Sequence, residues 1–356
     1  MIAKAEDARV PLPAELLAKF RHNARDRACS AWAERAAARV DSLPHGIVVP
    51  LGGDATDPET ATIAVRGVAE EIIGALGRRW SLDRLTPEYG SPQTTSVGRD
   101  KRARTLLPHH DGGNSSYLTP SRLDVPAWSA ENRRTFPARI TTTRSHKLYQ
   151  GFLVQSVGEA DSITPYYDLA ALLKLAFRHQ TGSDCCDVVS LQKWCHGNLD
   201  YSIGLIRASG GGYIQLGALL GSRNPKHLLV NLHNLNDGFG EAEIAAFPDI
   251  ADVAPARLFD EMIRQTTGLC WPDLCMRGEW RLETGTYDFV FGHNILLMHG
   301  GINGGASRLL DPVCAVVEEA SDDAYERWLA EAWRTAYRRA AEPGRHNAIE
   351  RGLPCS

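Results

Sequence analysis

The chain has no run of about 18 apolar residues, so no segment of it reads as a helix that crosses a membrane. Its first residues, Met1-Ile2-Ala3-Lys4-Ala5-Glu6-Asp7, lack the basic-then-apolar pattern of a secretory signal, and a cytoplasmic protein is the expectation. Neither sign of charge is in large excess. A formal net charge of −4 and a pI near 6.3 leave no bulk basic surface to draw the chain to phosphate backbones, which argues against nucleic acid as a partner. Eight cysteines are present without the short regular spacings of a disulfide framework or a zinc ribbon. Cys185 and Cys186 are adjacent, and Cys270 and Cys275 have no matching second pair, so reduced structural thiols are expected. No internal repeat is visible. The glycine run Ser209-Gly210-Gly211-Gly212 is not followed by Lys-Ser/Thr, which excludes a phosphate loop and leaves a flexible turn.

What is present is enough apolar material for a sizeable core: 356 residues with 43% hydrophobic and 23% charged side chains fit one elaborated domain. From Pro13 to about Ala38 the sequence is rich in Ala, Leu, Glu and Arg, with Leu16, Leu17 and Phe20 at helical spacing, and predicts one amphipathic helix with Pro13 in its first position. After Ser42-Leu43-Pro44, the β-branched run His45-Gly46-Ile47-Val48-Val49-Pro50-Leu51 predicts a buried strand. A second helix is expected from Thr60 to Leu76, ended by Gly77.

From Thr94 onward the texture changes to short β-prone runs broken by Gly, Pro and Asn. They fall at 139–143, 147–155, 201–207, 213–219, 227–232, 287–291 and 312–317. A helix is expected over 168–177, and Ser321-Asp322-Asp323 should cap a final helix through about Ala341. This pattern predicts a mainly β chain with flanking helices (α+β), built on a double-stranded β-helix, a jelly-roll or cupin-like core. The expected organisation is a helical segment at 1–44, a jelly-roll core at 45–317 and a C-terminal helix and tail at 318–356. Segments at about 156–182 and 237–256 read as insertions into that core.

Two separated segments carry the chemistry. In Leu106-Leu107-Pro108-His109-His110-Asp111-Gly112-Gly113, alternation along an extended chain sends His109 and Asp111 to one face and His110 to the other. Gly112 and Gly113 remove bulk beside the carboxylate. Far downstream, Thr286-Tyr287-Asp288-Phe289-Val290-Phe291 reads as a strand, Gly292-His293-Asn294 as a turn, and Ile295-Leu296-Leu297-Met298 as a strand delivering His299. Arg308 follows, opening Leu309-Leu310-Asp311-Pro312-Val313. Two imidazoles and one carboxylate form the ligand set that holds a non-haem Fe(II) on one face and leaves the other positions open. The Arg308 guanidinium is a two-pronged donor suited to a carboxylate.

Other histidines read as structural. His196, near Cys195 and Asp200, lacks a second partner at telling spacing. His227 and His233 flank an apolar run where hydrogen bonding at strand ends accounts for them.

In the order of these segments the chain resembles the Fe(II)/2-oxoglutarate-dependent oxygenases, and in particular their clavaminate synthase and taurine dioxygenase branch. The resemblance rests on the His45–Val49 strand and the helix after it, on Pro108-His109-His110-Asp111, and on Tyr287–Phe291 leading to His299. It spans residues 45 to 317, while 120 to 280 carries no matching motif. The clavaminate synthase side usually has Glu where this chain has Asp111, and the interval from His299 to Arg308 is short for that branch. The resemblance implies Fe(II) held by His109, Asp111 and His299, with 2-oxoglutarate and O2 as cosubstrates. Arg308 would anchor the far carboxylate of 2-oxoglutarate, with Arg281, Arg139 and Arg144 as alternatives. It also implies oxidation of an unactivated C–H bond by hydroxylation, desaturation or oxidative cyclisation, with release of succinate and CO2. Because Asp111 is present, chlorination is disfavoured.

Tyr117, Arg122 and Trp128, with Asp124 nearby, lie in segments able to form the mouth of a barrel. Their mix of charged and aromatic groups suits a small, amino-acid-like metabolite. Two rival readings come from other classes. One is a jelly-roll binding protein without oxygen chemistry, disfavoured by the complete ligand trio and the following arginine. The other is a Zn²⁺-dependent hydrolase using the same ligands, disfavoured because no glutamate adjoins the histidines as a general base, although folding could bring Glu279 or Glu283 near.

Overall fold

The computed structural model describes residues 8–52, 57–90, 93–95, 105–109, 145–156, 164–183, 187–198, 206–207, 213–214, 268, 280–282, 284–302, 308–318 and 323–342. The expected strands at 139–143 and 227–232, and the segment 237–256, lie outside these residues, as do all but the short stretches 206–207 and 213–214 of the two between them.

The N-terminal amphipathic stretch is two helices, α1 (Ala14–Arg21) and α2 (Arg27–Val40). Asn23 at φ 52° takes the left-handed conformation that ends α1. Asp26 restarts the chain as a side-chain cap, accepting from the backbone N–H groups of Ala28 and Cys29 at 3.0 and 3.2 Å. Pro13 is the residue before α1 rather than its first. Strand β1 (Gly46–Pro50) follows as the β-branched run predicts. Helix α3 (Pro58–Trp80) is longer than expected and runs through Gly77. Asp57 caps its start, with Pro58 at the first position. Ser81, at φ 54°, ends it; a Cβ on Gly77 would stand 3.1 Å from the Leu82 carbonyl, so glycine there lets the chain fold back closely.

The remaining elements are β2 (Thr86–Tyr89), β3 (Gln93–Thr95), β4 (Thr105–His109), β5 (Ser145–Ser156), β6 (Thr164–Asp168), α4 (Leu169–Thr181) and α5 (Val188–Asn198). After them come β7 (Ile206–Arg207), β8 (Tyr213–Ile214), β9 (Trp280–Leu282), β10 (Asp288–His293), β11 (Leu297–Ile302), β12 (Arg308–Glu318) and α6 (Asp323–Ala341). The larger sheet has the order β1-β10-β5-β12-β2, with β3 also pairing β12. The smaller sheet has the order β4-β11-β6-β9, and β7 pairs β8 apart from both. The architecture is α+β: antiparallel sheets with flanking helices.

The pairing is nested. β3 pairs β12, β4 pairs β11, β5 pairs β10 and β6 pairs β9, all antiparallel, so among these eight strands the first meets the last and the pairing closes inward. One expectation changes here. The segment 156–182 reads as an insertion but contains β6, which lies between β11 and β9 inside the smaller sheet. β10 and β11 adjoin in sequence but do not pair; the chain crosses from one sheet to the other between them.

Period-2 alternation assigns the faces of the larger sheet. Ile47, Val49, Phe289 and Phe291 join the main core, which contains Phe20, Trp32 and the inner faces of α1 to α4 and α6. Val48 and Val290 project the other way and pack with Tyr166 and Leu297 of the smaller sheet, with Phe152 against them. The larger sheet is therefore sandwiched, helices on one face and the smaller sheet on the other. Burying each large apolar side chain contributes roughly 2 kcal/mol.

On the helix-covered face, the Tyr149 hydroxyl accepts from Trp328 Nε1 at 2.8 Å and donates to Asp41 Oδ1 at 3.1 Å, joining β5 to α6 and α2. Tyr149→Phe would strand the indole N–H in an apolar setting and remove one donor from Asp41. It is expected to cost about 1–3 kcal/mol of stability in urea unfolding, with little change in the m-value.

Candidate functional site

The corner between β10 and β11 is built to aim the strand that carries His299. His293 Nδ1 accepts from the backbone N–H groups of Ile295 and Leu296 at 3.1 and 3.2 Å, so its ring proton is on Nε2 when neutral. Asn294 donates from its backbone to the Leu148 carbonyl at 3.0 Å and from its side chain to the Lys147 carbonyl at 2.8 Å. Leu169 N–H donates to the Leu296 carbonyl at 3.0 Å, which ties the start of α4 to the same corner. The apolar run Ile295-Leu296-Leu297 is buried, and the chain leaves the corner already committed to the smaller sheet.

Within that sheet His299 lies directly opposite His109 of β4 on one side and Tyr166 of β6 on the other. Its ring centroid is 6.3 Å from that of Tyr166. Leu297 shares the face of His299 by alternation and belongs to the cluster between the sheets, so this face is turned toward the larger sheet. From that sheet Gln150 reaches across, its side-chain amide hydrogen-bonded to His299 Nδ1. A bulge between His299 and Gly301 then breaks the register with β4.

Residues His109 and Arg308 are described in their backbone alone. His109 is the last residue of β4, and Arg308 opens β12 opposite Thr95 of β3. Arg281, an alternative carboxylate anchor, lies on β9 opposite Pro165. Asp111, His110, Tyr117, Arg122, Trp128, Asp124, Arg139 and Arg144 lie outside the described residues. His196 falls on α5. Among the described residues no group of three or more His, Cys, Asp or Glu side chains is placed to hold a metal ion. Two of the expected ligand positions, His109 and His299, are brought into register; the third is Asp111.

The described part of the candidate site is one cross-strand pair of histidine positions. Paired positions in an antiparallel ladder carry their Cβ atoms about 4.5–5.5 Å apart on a common face, a spacing two imidazoles can bridge through one ion. With Nδ1 engaged by Gln150, ligation by His299 would be through Nε2.

Sequence reading missed Gln150 and Tyr166. The signal for the first was a polar amide within an otherwise strand-like run, Lys147–Gln155, where a position facing another sheet would ordinarily be apolar. Tyr166 lay in a segment read as an insertion.

A cavity of about 480 Å³ opens elsewhere, lined by Asp41, Arg79, Trp80, His293, Leu296 and Glu331 among others. Neither His299 nor Gln150 lines it. Burial raises the Asp41 carboxyl above its ordinary value, opposed by hydrogen bonds from Arg79, Tyr149 and Trp80. Those three contacts account for the carboxylate structurally.

No protein family model matches the chain, and no curated protein sequence matches it. Among solved structures, PvcB from Pseudomonas aeruginosa is similar at 14% identity over 80% of this chain and 79% of that one, with a TM-score of 0.33. A PvcB structure described as an Fe, alpha-ketoglutarate dependent oxygenase from an isonitrile synthetic pathway is similar at 15% identity over the same shares, with a TM-score of 0.35. A taurine dioxygenase from Burkholderia xenovorans is similar at 11% identity over 89% of this chain and 91% of that one, with a TM-score of 0.33. At such identities and TM-scores the likeness carries no assignment of reaction or substrate.

Proposed function

We propose that the chain is a non-haem Fe(II)/2-oxoglutarate-dependent oxygenase that oxidises an unactivated C–H bond of a small, amino-acid-like metabolite. The observation that carries this reading is the register: His109 and His299, remote in sequence, are cross-strand partners in the smaller sheet, on the face turned to the larger one. The nested pairing of β3, β4, β5 and β6 with β12, β11, β10 and β9 supports reading these eight strands as a jelly roll.

His109 and His299 would each give an imidazole nitrogen, and Asp111, next but one to His109, the carboxylate that completes a facial set. When bound, the iron together with 2-oxoglutarate and dioxygen supplies the oxidising chemistry. The chain's own residues supply position and shelter. Arg308 would pair the far carboxylate of 2-oxoglutarate, and Tyr117, Arg122 and Trp128 would receive the metabolite. Val48, Val290, Leu297 and Phe152 pack the space between the sheets with apolar surface and limit access of bulk water from that side.

The test is spectroscopic. Anaerobic protein given Fe(II) and then 2-oxoglutarate is expected to develop the weak visible charge-transfer band of the chelate. His109→Ala and His299→Ala should each abolish it, together with succinate formation in air. If the intact protein gives neither band nor succinate, the reading is wrong.

A further inference from the structure

We propose that Gln150 is a positioning residue for His299, fixing both the orientation of the ring and which of its nitrogens is offered to a metal. The proposal rests on the metal-site reading above and adds a residue that reading does not require.

Gln150 lies on β5 in the middle of the larger sheet, opposite Gly292 of β10 on one side and Cys314 of β12 on the other. Its backbone is thus held by ladders on both edges. Next but one along the strand, Phe152 packs into the apolar cluster between the sheets, so Gln150 shares its face with Phe152 and, across the ladder, with Val290. An amide placed there without a partner would cost about 1–3 kcal/mol. The amide meets His299 Nδ1 across the space between the two sheets.

The chemistry of the pair follows from proton placement. A neutral imidazole has one N–H and one lone pair, and ligation through Nε2 needs the proton on Nδ1, donating to an acceptor. The Gln150 amide supplies that acceptor when its Oε1 faces the ring. With its Nε2 facing the ring instead, Nδ1 accepts and the ring proton moves to the other nitrogen. A half-turn of the amide about its last bond interconverts the two without moving either strand, since its two ends are alike in size. The metal-bound form is therefore the one with Oε1 toward Nδ1–H. The Tyr166 ring lies beside that of His299, 6.3 Å between centroids, and the amide meets the same imidazole from the other sheet.

Three variants test this. Gln150→Leu keeps bulk and removes the hydrogen bond; Gln150→Glu keeps an acceptor and no donor; Gln150→Asn withdraws the amide by one methylene. Co(II) binding to each is measured anaerobically from the visible ligand-field bands. Ring tautomers in metal-free protein are read at pH 8 from long-range ¹H–¹⁵N correlations, with His299 assigned by its loss in His299→Ala. Gln150→Leu is expected to weaken Co(II) binding roughly 10–100-fold, as loss of a ligand's hydrogen-bond partner does, and to change the His299 tautomer ratio. Gln150→Glu should restore binding and hold the proton on Nδ1. If Gln150→Leu is not recovered folded by circular dichroism, Gln150→Asn is read by the same two measurements, with the same expectation.

Unchanged affinity and tautomer in the folded variant overturn the role of Gln150 and leave the metal site standing. Failure of the intact protein to bind Co(II) overturns the metal site and the proposal with it, so the two failures are distinguishable.

Discussion

Replacing Arg339 by Met is expected to lower the unfolding free energy by about 3–5 kcal/mol. Arg339, near the end of α6, donates to Asp168 Oδ2 at the junction of β6 and α4, and the side chains are 13% and 2% exposed. Asp168 also caps α4, its Oδ1 accepting from Ala170 N–H at 2.9 Å. Burial raises the Asp168 carboxyl above its ordinary value, and the Arg339 guanidinium pulls it back down. Removing the cation leaves a carboxylate in an apolar setting, which must either be buried unpaired or take up a proton. The cost belongs to the orphaned charge more than to the lost attraction. The double change Asp168→Asn/Arg339→Met should therefore recover most of the loss, because the asparagine oxygen can still cap α4. Urea unfolding of the three variants decides it; a double variant as unstable as Arg339→Met would refute the account. The site is downstream of this pair. Asp168 is the partner of Leu297 in the ladder that places Tyr166 beside His299, so α6 braces the strand that carries the imidazole.

Acid is expected to destabilise the protein through His45, and His45→Asn to remove that part of the pH dependence. His45 is 3% exposed, beneath His293 at 6.2 Å between ring centroids. Burial, assisted by the positive charge of Arg339, lowers its pKa from 6.5 to about 3. Above pH 6.5 the ring is neutral whether the chain is folded or unfolded, and its contribution to stability is fully present. Between 6.5 and about 3 the unfolded chain binds a proton that the folded chain refuses, so stability falls with pH. The loss is about 1.4 kcal/mol per pH unit, roughly 4–5 kcal/mol across the window, and stops below it. Asp41 and Asp168 work the other way, since burial raises their carboxyls and the folded chain takes up their protons first. The diagnostic quantity is therefore the difference in slope between intact protein and variant. Asparagine suits the position because His45 has φ 67°, which Asn tolerates better than most residues. Denaturant unfolding at a series of pH values from 7.5 to 4, quoted as a difference, checks it; parallel curves for the two proteins would rule it out. Arg339→Met should also raise the His45 pKa, so the two variants are expected to be non-additive.

The candidate ligands were legible in sequence because they carry their chemistry in residue type and local alternation. His109-x-Asp111 places two side chains of ligating type on one face of any extended segment, and the apolar run before His299 announces a buried strand. Helices capped by Asp57 and Asp168, and the β-branched run of β1, were legible for the same reason: the forces that make them act within a few residues. Where local signals competed, the reading failed. The Ala-rich N-terminal stretch has one amphipathic period throughout, and only the left-handed Asn23 with the Asp26 cap divides it. The segment around β6 lacks a strong strand signature, and its place between β11 and β9 comes from the ladders on either side.

By itself, then, the sequence determined the helical and β-rich parts of this chain, the lack of an apolar run of about 18 residues, and the residue types able to hold a metal. Tertiary structure alone decided that His109 and His299 stand opposite each other, that Tyr166 flanks the second of them, and that Gln150 reaches it from another sheet. The reason is range. Propensity, capping and alternation are set by neighbours along the chain, whereas register between β4 and β11, and contact between β5 and β11, are set by how two sheets bury their facing sides together.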